Sequence, residues 1–485
     1  MAFDRLLRLA IRGRGLLLVG LILGSGVAVT ACLTRTVGGL NVYCDDENPC
    51  TDPFYSSCQG HLCAAGGDGG MPSRCGSSMP CLNPAAPICD DSGYCRKCSG
   101  AADNTRCGVA TSGLRPLCDV DTQLCVACLK NSDCADRKSP VCDKGLCRPC
   151  TAPADCPSGV CAAGSCADEV DVAFVDNSAN GCPSGAMSTG SRAAPFCEIA
   201  TAIPNLKGRN VVSVKGTGTA YVDPLILSTV DIVIVGPGRL ASPTAVLRVG
   251  SGADCIQVNP GGGSLVIDGL DIGTCGKNGL VCNGPGSVSL LRSSVHGTAG
   301  FGVLTTDCDV TLDEDWIANN ASGGVRLNNG HYKVTNSFVV SHNIKQAAVV
   351  LGEMATGTFS FNTVADNNAT PVSGGINCGF QANKSIENSI VVGNSQDVAS
   401  SSQLLGNCVL TMVVTGADKF KGAVTQSPIF DMSNPFHLDR ASTCCVDVVR
   451  PPEGGPALLP NHDGDGNHRP FGAGWDVGAH EVQMR

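Results

Sequence analysis

The residues of this chain best suited to chemistry are carboxylates. Asp307, Asp309, Asp313, Glu314 and Asp315 crowd into one short stretch. On an extended strand alternate side chains share a face, so Asp313 and Asp315 form one pair and Asp307 and Asp309 another. Two carboxylates on one face can hold a cation or divide acid and base roles. The competing reading is a solvated turn in an acidic protein. Arg292 and Arg326 are the nearest basic side chains one repeat away. A second group, Asp463, Asp465 and Asn467, alternates oxygen ligands with Gly464 and Gly466, like the start of a Ca²⁺ loop. It lacks the acidic residue that closes an EF-type loop; the competing reading is a capping turn in which Arg469 pairs with Asp476 or Glu481. No G-x-S-x-G, H-E-x-x-H or phosphate-cradling loop occurs, and none of the 8 His sits beside a nucleophile. The expectation is a protein without a catalytic site and without a bound cofactor, with Ca²⁺ the alternative at these carboxylates.

Cysteine chemistry comes next. The chain has 31 Cys, a hazard in a reducing cytosol, so an oxidising compartment and disulfides are expected. Cys44, Cys50, Cys58 and Cys63 are separated by five, seven and four residues, and Cys128, Cys134, Cys142 and Cys147 repeat that spacing. Cys75, Cys81, Cys89 and Cys95 differ by one residue; Cys98, Cys107, Cys118 and Cys125 form a stretched copy; Cys150, Cys156, Cys161 and Cys166 a shortened one. Units this small and poor in large apolar side chains need disulfides for stability. The four cysteines of a unit are expected to pair among themselves, with three connectivities open. Cys95/Cys98, Cys125/Cys128 and Cys147/Cys150 are C-x-x-C pairs, compatible with zinc or redox chemistry. Each falls where one unit ends and the next begins, which favours module boundaries of a disulfide array. The region resembles cysteine-rich repeats of secreted proteins of Gram-negative bacteria.

The odd cysteine has its own context. Arg5, Arg8, Arg12 and Arg14 precede an apolar stretch, Leu16 to Val29, of signal-peptide length and short for a membrane span. It ends in Val29-Thr30-Ala31-Cys32, which resembles the bacterial lipobox. The resemblance implies cleavage before Cys32, lipid attachment to its thiol and, with Leu33 next, passage to the outer membrane or cell surface. The net charge of −10 and the lack of long basic runs argue against nucleic-acid binding.

What must position the carboxylates is a repeat. With 61 Gly and 4% aromatics, the chain cannot build one large aromatic core. Short apolar runs recur instead: Leu280, Val303, Val325, Val349 and Ile376 follow one another at intervals of 23, 22, 24 and 27 residues. That period signals one coil of a parallel β-solenoid. Asn336, Asn362 and Asn388, spaced by 26, are expected to stack at one corner as a ladder, followed by a second set at Asn343, Asn367 or Asn368, and Asn394. A carbohydrate-binding row is the alternative. Cys282 lies about one coil from both Cys255 and Cys308 and is expected to bond one of them. A short amphipathic helix near Phe196 to Leu206 precedes strands at Val211–Val214 and Ile232–Val235.

On these features the chain resembles the pectate-lyase-like right-handed β-helix superfamily. Its end, with Asp463, Gly466, Arg469-Pro470, Gly472, Asp476, Gly478-Ala479 and Glu481, resembles the choice-of-anchor Q domain of bacterial surface β-helix proteins. The resemblance implies an all-β fold: a right-handed, single-stranded parallel β-helix preceded by a disulfide-rich, loop-dominated repeat region. The expected organisation is a signal peptide over 1–31, a tether over 32–43, cysteine-rich repeats over 44–166, the β-helix over 167–445 and a C-terminal cap over 446–485. The expected function is that of a cell-surface lipoprotein that binds glycan or mediates adhesion without catalysis, membrane-bound through its lipid. The alternatives are a polysaccharide lyase or glycoside hydrolase acting on acidic polysaccharide, and a purely structural envelope component; for a lyase the resemblance implies a carboxylate-held Ca²⁺ that acidifies a sugar proton, with Arg292 or Arg326 removing it.

Overall fold

The computed structural model describes residues 57–59, 62–64, 75–76, 81, 83, 85–179, 182, 188–228, 231–250, 252–261, 263–344, 347–369, 375–379, 384–394, 408–415, 423–450 and 459–483. Cys32, the leader and the cysteine pairing of the first repeat lie outside the described residues. The chain forms two compact units, Met1–Asp133 with Cys142–Cys147, and Cys134–Val141 with Arg148–Arg485.

In the first unit, short antiparallel hairpins such as Ile88–Cys89 with Cys95–Arg96 and Leu117–Asp119 with Leu124–Val126 are crosslinked at close quarters. The pairing is Cys75–Cys89, Cys81–Cys95, Cys98–Cys118, Cys107–Cys125 and Cys128–Cys142. First bonds third and second bonds fourth. Cys95 and Cys98 therefore belong to different crosslinks, as do Cys125 and Cys128, which is the module-boundary reading of those C-x-x-C pairs.

The second unit is dominated by a parallel β-solenoid with three strand rows. The first row runs through Leu225–Leu227, Ile256–Val258, Leu280–Asn283 and Phe301–Thr306; the second through Val172–Val175, Val211–Val214, Ile232–Val235, Ser264–Asp268, Ser287–Leu291 and Asp309–Asp313. Two long strands, Gly323–Thr335 and Val349–Ser360, continue both rows around a corner. The third row runs from Val246–Leu247 through Ser294–His296 and Phe338–Val340 to Ala423–Val424. Register matches the sequence period residue for residue: Leu280 pairs with Val303, Val303 with Val325, Val325 with Val349 and Val349 with Ile376. Inward residues such as Leu265, Ile267, Leu290, Leu312 and Val334 stack into one continuous buried core. The helix Ile199–Ala202 and the turn Ile203–Asn205 pack at the start of this core, as expected for the opening segment. Cys282 bonds Cys308, one coil on.

Two boundaries differ from expectation. The last cysteine repeat, Cys150–Cys161 and Cys156–Cys166, belongs with the solenoid unit. Val160 and Ala162 pack on the outer side of Val172, Phe174, Val211 and Val235, and the Ala163 N–H donates to Asp268. The early second-row strands are apolar on both faces, and that outer surface needs cover. The C-terminal segment, expected as a cap, lies along the flank of the solenoid. Leu438, Cys445, Val449, Trp475, Val477 and Ala479 cover the outer side of the third row at Ala318, Phe338, Val340, Ile390 and Val414, and Phe361 at the corner that leads into it. Phe338-Val339-Val340 and Ile390-Val391 are buried on both faces, so this row needs a second layer.

Candidate functional site

Corners are where polar groups gather. Non-glycine residues with left-handed backbone mark the turn between second and third rows: Arg292, Glu314, Asn336, Phe361 and Asn388. Asn336 and Asn388 occupy equivalent positions, but Phe361 stands between them and Asn362 falls one residue later. The expected Asn336–Asn362–Asn388 ladder is therefore not the one formed. The ladder runs through the next position along. The Ser293 N–H donates to Asp315 Oδ1 (3.0 Å), Asp315 N–H to Ser337 Oγ (3.2 Å), Ser337 N–H to Asn362 Oδ1 (2.9 Å) and Asn362 N–H to Ser389 Oγ (3.1 Å). A second ladder follows the third row: Thr298 N–H to Asn320 Oδ1, Asn320 N–H to His342 Nδ1, His342 N–H to Asn367 Oδ1 and Asn367 N–H to Asn394 Oδ1. His342 stands where an Asn was expected at 343. Burial lowers it to a pKa of about 4, so it is a neutral acceptor.

The acidic group is divided by the same corner. Glu314 takes φ +59°, which sends Asp315 inward and leaves Asp313 on the outer side, so the two do not share a face. Burial raises Asp315 well above the usual carboxylate range, in keeping with a place among neutral Ser and Asn side chains. Asp307 and Asp309 lie at the other end of their strand, Asp307 accepting from Asn329 Nδ2 and Asp309 from the His331 N–H. Both basic candidates have other hydrogen-bond partners, although Arg292 lies close enough for Asp313 and Glu314 to act on its charge. Arg292 donates to both oxygens of Asp268 (2.9 and 2.5 Å), and Arg326 donates to Asn328 Oδ1 with its guanidinium 5.8 Å from the Phe301 ring centroid.

What reaches Asp313 and Glu314 is His462, which position in sequence gave no reason to connect with them. Its Nε2 lies 3.3 Å from Asp313 Oδ2 and 3.2 Å from Glu314 Oε1. Its Nδ1 is 2.8 Å from Asn461 Oδ1. Burial pushes the Glu314 carboxyl up to about 7, with Asp313 adding to the effect and His462 opposing it. Asn336 donates from Nδ2 to Asp313 Oδ1 at 3.0 Å and is fully buried, and its Oδ1 has no hydrogen-bond partner among the described residues.

The Asp463 to Glu481 signature knots the covering segment. Asp463 Oδ1 accepts the N–H of Asp465 (2.9 Å) and Asn467 (2.8 Å), and Oδ2 accepts that of Glu481 (3.0 Å). Asp465 bonds Arg239 and His437 at 2.5 and 2.6 Å; burial pushes it up, but these two cations hold it down to about 2. A calcium ion at Asp463, Asp465 and Asn467 would have to displace these partners. Asp476 accepts the N–H of Asp447 and Val482, and Glu481 that of Phe471 and Asp476. Arg469, fully buried, donates to the Asp476 and Gly478 carbonyls and lies 3.8 Å from Glu481 Oε2. Arg239 also donates to the Gly464 carbonyl, tying the knot to the solenoid.

No family model matches the chain, and no curated protein is similar to it. Among solved structures, the crystal structure of pectate lyase Pel9A is similar at 13% identity and a TM-score of 0.35, over 64% of this chain and 96% of that one.

Proposed function

We propose that this protein is an exported lipoprotein, held at a bacterial outer membrane or cell surface through Cys32, whose β-solenoid binds polysaccharide without cleaving it. The observation that carries the non-catalytic reading is the engagement of Arg292 by both oxygens of Asp268 and of Arg326 by Asn328, although the charge of Arg292 is felt at Asp313 and Glu314. A lyase site needs a basic side chain free to take a proton, and Arg292 is held by an ion pair and Arg326 by an amide. The binding reading draws on the outer side of the second row. Ser289, Thr311, Lys333, Thr358 and Ser385 stand in register there on successive coils, about 4.8 Å apart. A straight row of hydroxyl and ammonium groups suits the hydroxyls and carboxylates of an extended acidic glycan.

The test incubates purified protein with acidic polysaccharides, with and without Ca²⁺, following unsaturated-product absorbance and reducing ends. Saturable binding without turnover, weakened by Lys333→Ala and Thr311→Ala together and unaffected by Asp313→Ala, is the expected result. Turnover that disappears in Asp313→Ala would overturn the reading in favour of a polysaccharide lyase or hydrolase. Absence of binding across a glycan array would leave a structural envelope role in its place.

A further inference from the structure

Where the covering segment meets the second corner, three ligand-type atoms converge. Asp313 Oδ2, Glu314 Oε1 and His462 Nε2 all lie within 4.8 Å of one another. They come from two stretches of chain, with Asp313 and His462 149 residues apart in sequence, brought together by the fold. The spacings are informative. Charge-assisted hydrogen bonds to a carboxylate settle at about 2.7–2.9 Å. The imidazole nitrogen here sits at 3.3 and 3.2 Å from the two oxygens. Two metal–ligand bonds of about 2.0–2.1 Å meeting at the tetrahedral angle place their ligand atoms roughly 3.3 Å apart.

The surroundings fit the same reading. His462 Nδ1 faces Asn461 Oδ1 at 2.8 Å, the outer hydrogen bond that fixes a ligating imidazole with its Nε2 lone pair directed inward. Asn336 contacts Asp313 through Nδ2, is fully buried, and carries an Oδ1 without a partner. A buried amide oxygen left unpaired is costly, and a cation beside Asp313 would satisfy it.

We propose that Asp313, Glu314 and His462 bind one divalent first-row transition ion of the zinc class, with Asn336 Oδ1 the fourth protein ligand. One imidazole with carboxylate and amide oxygens suits such an ion better than Ca²⁺, which takes an all-oxygen shell. The ion clamps the covering segment at His462 to the solenoid corner at Asp313 and Glu314. Its role is thus a structural crosslink, and it is independent of glycan binding.

The experiment uses the full chain, oxidised and stripped with chelator, and Zn²⁺ as the probe. Equilibrium dialysis with metal analysis should give one tightly bound Zn²⁺ per chain. Glu314→Gln, which keeps shape, and His462→Ala should each raise the dissociation constant at least tenfold. His331→Ala, on the exposed second row, should leave it unchanged. Zn²⁺ should raise the melting temperature of the parent and protect residues 459–483 from protease, and do neither in Glu314→Gln. Should His462→Ala fail to fold, Glu314→Gln and the ligand-field absorption of Co²⁺ decide the matter. No stoichiometric binding, binding unaltered in Glu314→Gln, or a preference for Ca²⁺ over Zn²⁺ would each overturn the proposal.

Discussion

His342 and Asp315 show how single residues in the ladders couple to solution conditions. His342 accepts the Asn320 N–H through Nδ1 and is 1% exposed, so its charged form is penalised. Its folded pKa, about 4, lies below the ordinary 6.5. The stability it contributes is fully present above pH 6.5 and is lost as the pH falls toward 4, to the extent of roughly 3 kcal/mol. His342→Asn puts into the column the residue type that already fills its neighbours Asn320, Asn367 and Asn394. It should change stability at pH 7 by no more than about 1 kcal/mol and flatten the loss between pH 6.5 and 4, as read by urea unfolding at a series of pH values. An unchanged acid limb would show that another group governs it. Asp315 is the one carboxylate in a column of Ser and Asn, and it is fully buried. Asp315 accepts the Ser293 N–H through Oδ1 and the Asp313 N–H through Oδ2, so Asp315→Asn keeps an oxygen for the first and turns an amide donor toward the second. Its expected effect at pH 7 is a loss of about 1–3 kcal/mol; a gain would mean that relief from burying an ionisable group outweighs the lost acceptor.

At the scale of elements, the corner between second and third rows and the segment that covers the third row act together. Each ladder bond contributes only about 0.5–1.5 kcal/mol, but an unmade one at a buried corner costs about 1–3 kcal/mol, which pins each coil's register to the next. Among its described residues the covering segment has almost no regular secondary structure, so its order comes from the buried charge knot. Arg469→Ala would leave the Asp476 and Gly478 carbonyls without their donor and the Glu481 carboxylate without its buried counter-charge. A loss of about 3–5 kcal/mol is expected, together with early protease cleavage after residue 430 while the coils stay protected. Simultaneous exposure of the coils would show that the segment is integral to them. Between coils, Cys282→Ala with Cys308→Ala should cost about 2–4 kcal/mol without changing the far-ultraviolet β-signal, because neighbouring coils still supply the register.

At the scale of the whole molecule, the two units draw stability from different sources: crosslinks in the cysteine repeats, stacking in the solenoid. Replacing Cys98 and Cys118 by Ser should open the first unit to protease and leave the cooperative unfolding of the solenoid where it was. A large shift of the solenoid transition would contradict this division. Attachment to a membrane is a separate matter of one thiol. Cys32→Ala should move the protein from the membrane fraction to the soluble fraction of the cell, and retention in the membrane would rule out the lipid anchor.

How much of this was legible beforehand depended on whether a feature was local or periodic. The coil period was written in Leu280, Val303, Val325, Val349 and Ile376 because parallel in-register stacking requires equivalent apolar residues one coil apart. The cysteine fours were equally plain, since each crosslink closes within its own short unit. The ladders were legible as an Asn signal but misplaced by one residue. Ser, Asp and His can accept the same amide N–H, so residue type alone did not distinguish Asn336, at the left-handed corner, from Ser337, in the ladder. The acidic group was visible, but its division was not, because the turn at Glu314 cancels the alternation that a continuous strand would keep. The doubly apolar strand Phe338-Val339-Val340 signalled that something must cover it, without saying what. That the cover is the segment ending in the Asp463 to Glu481 knot, and that it brings His462 to Asp313 and Glu314, was decided only by tertiary structure. A contact between residues so far apart in the chain depends on where each coil turns and which side the returning segment takes, and neither is encoded in a local pattern or a repeat.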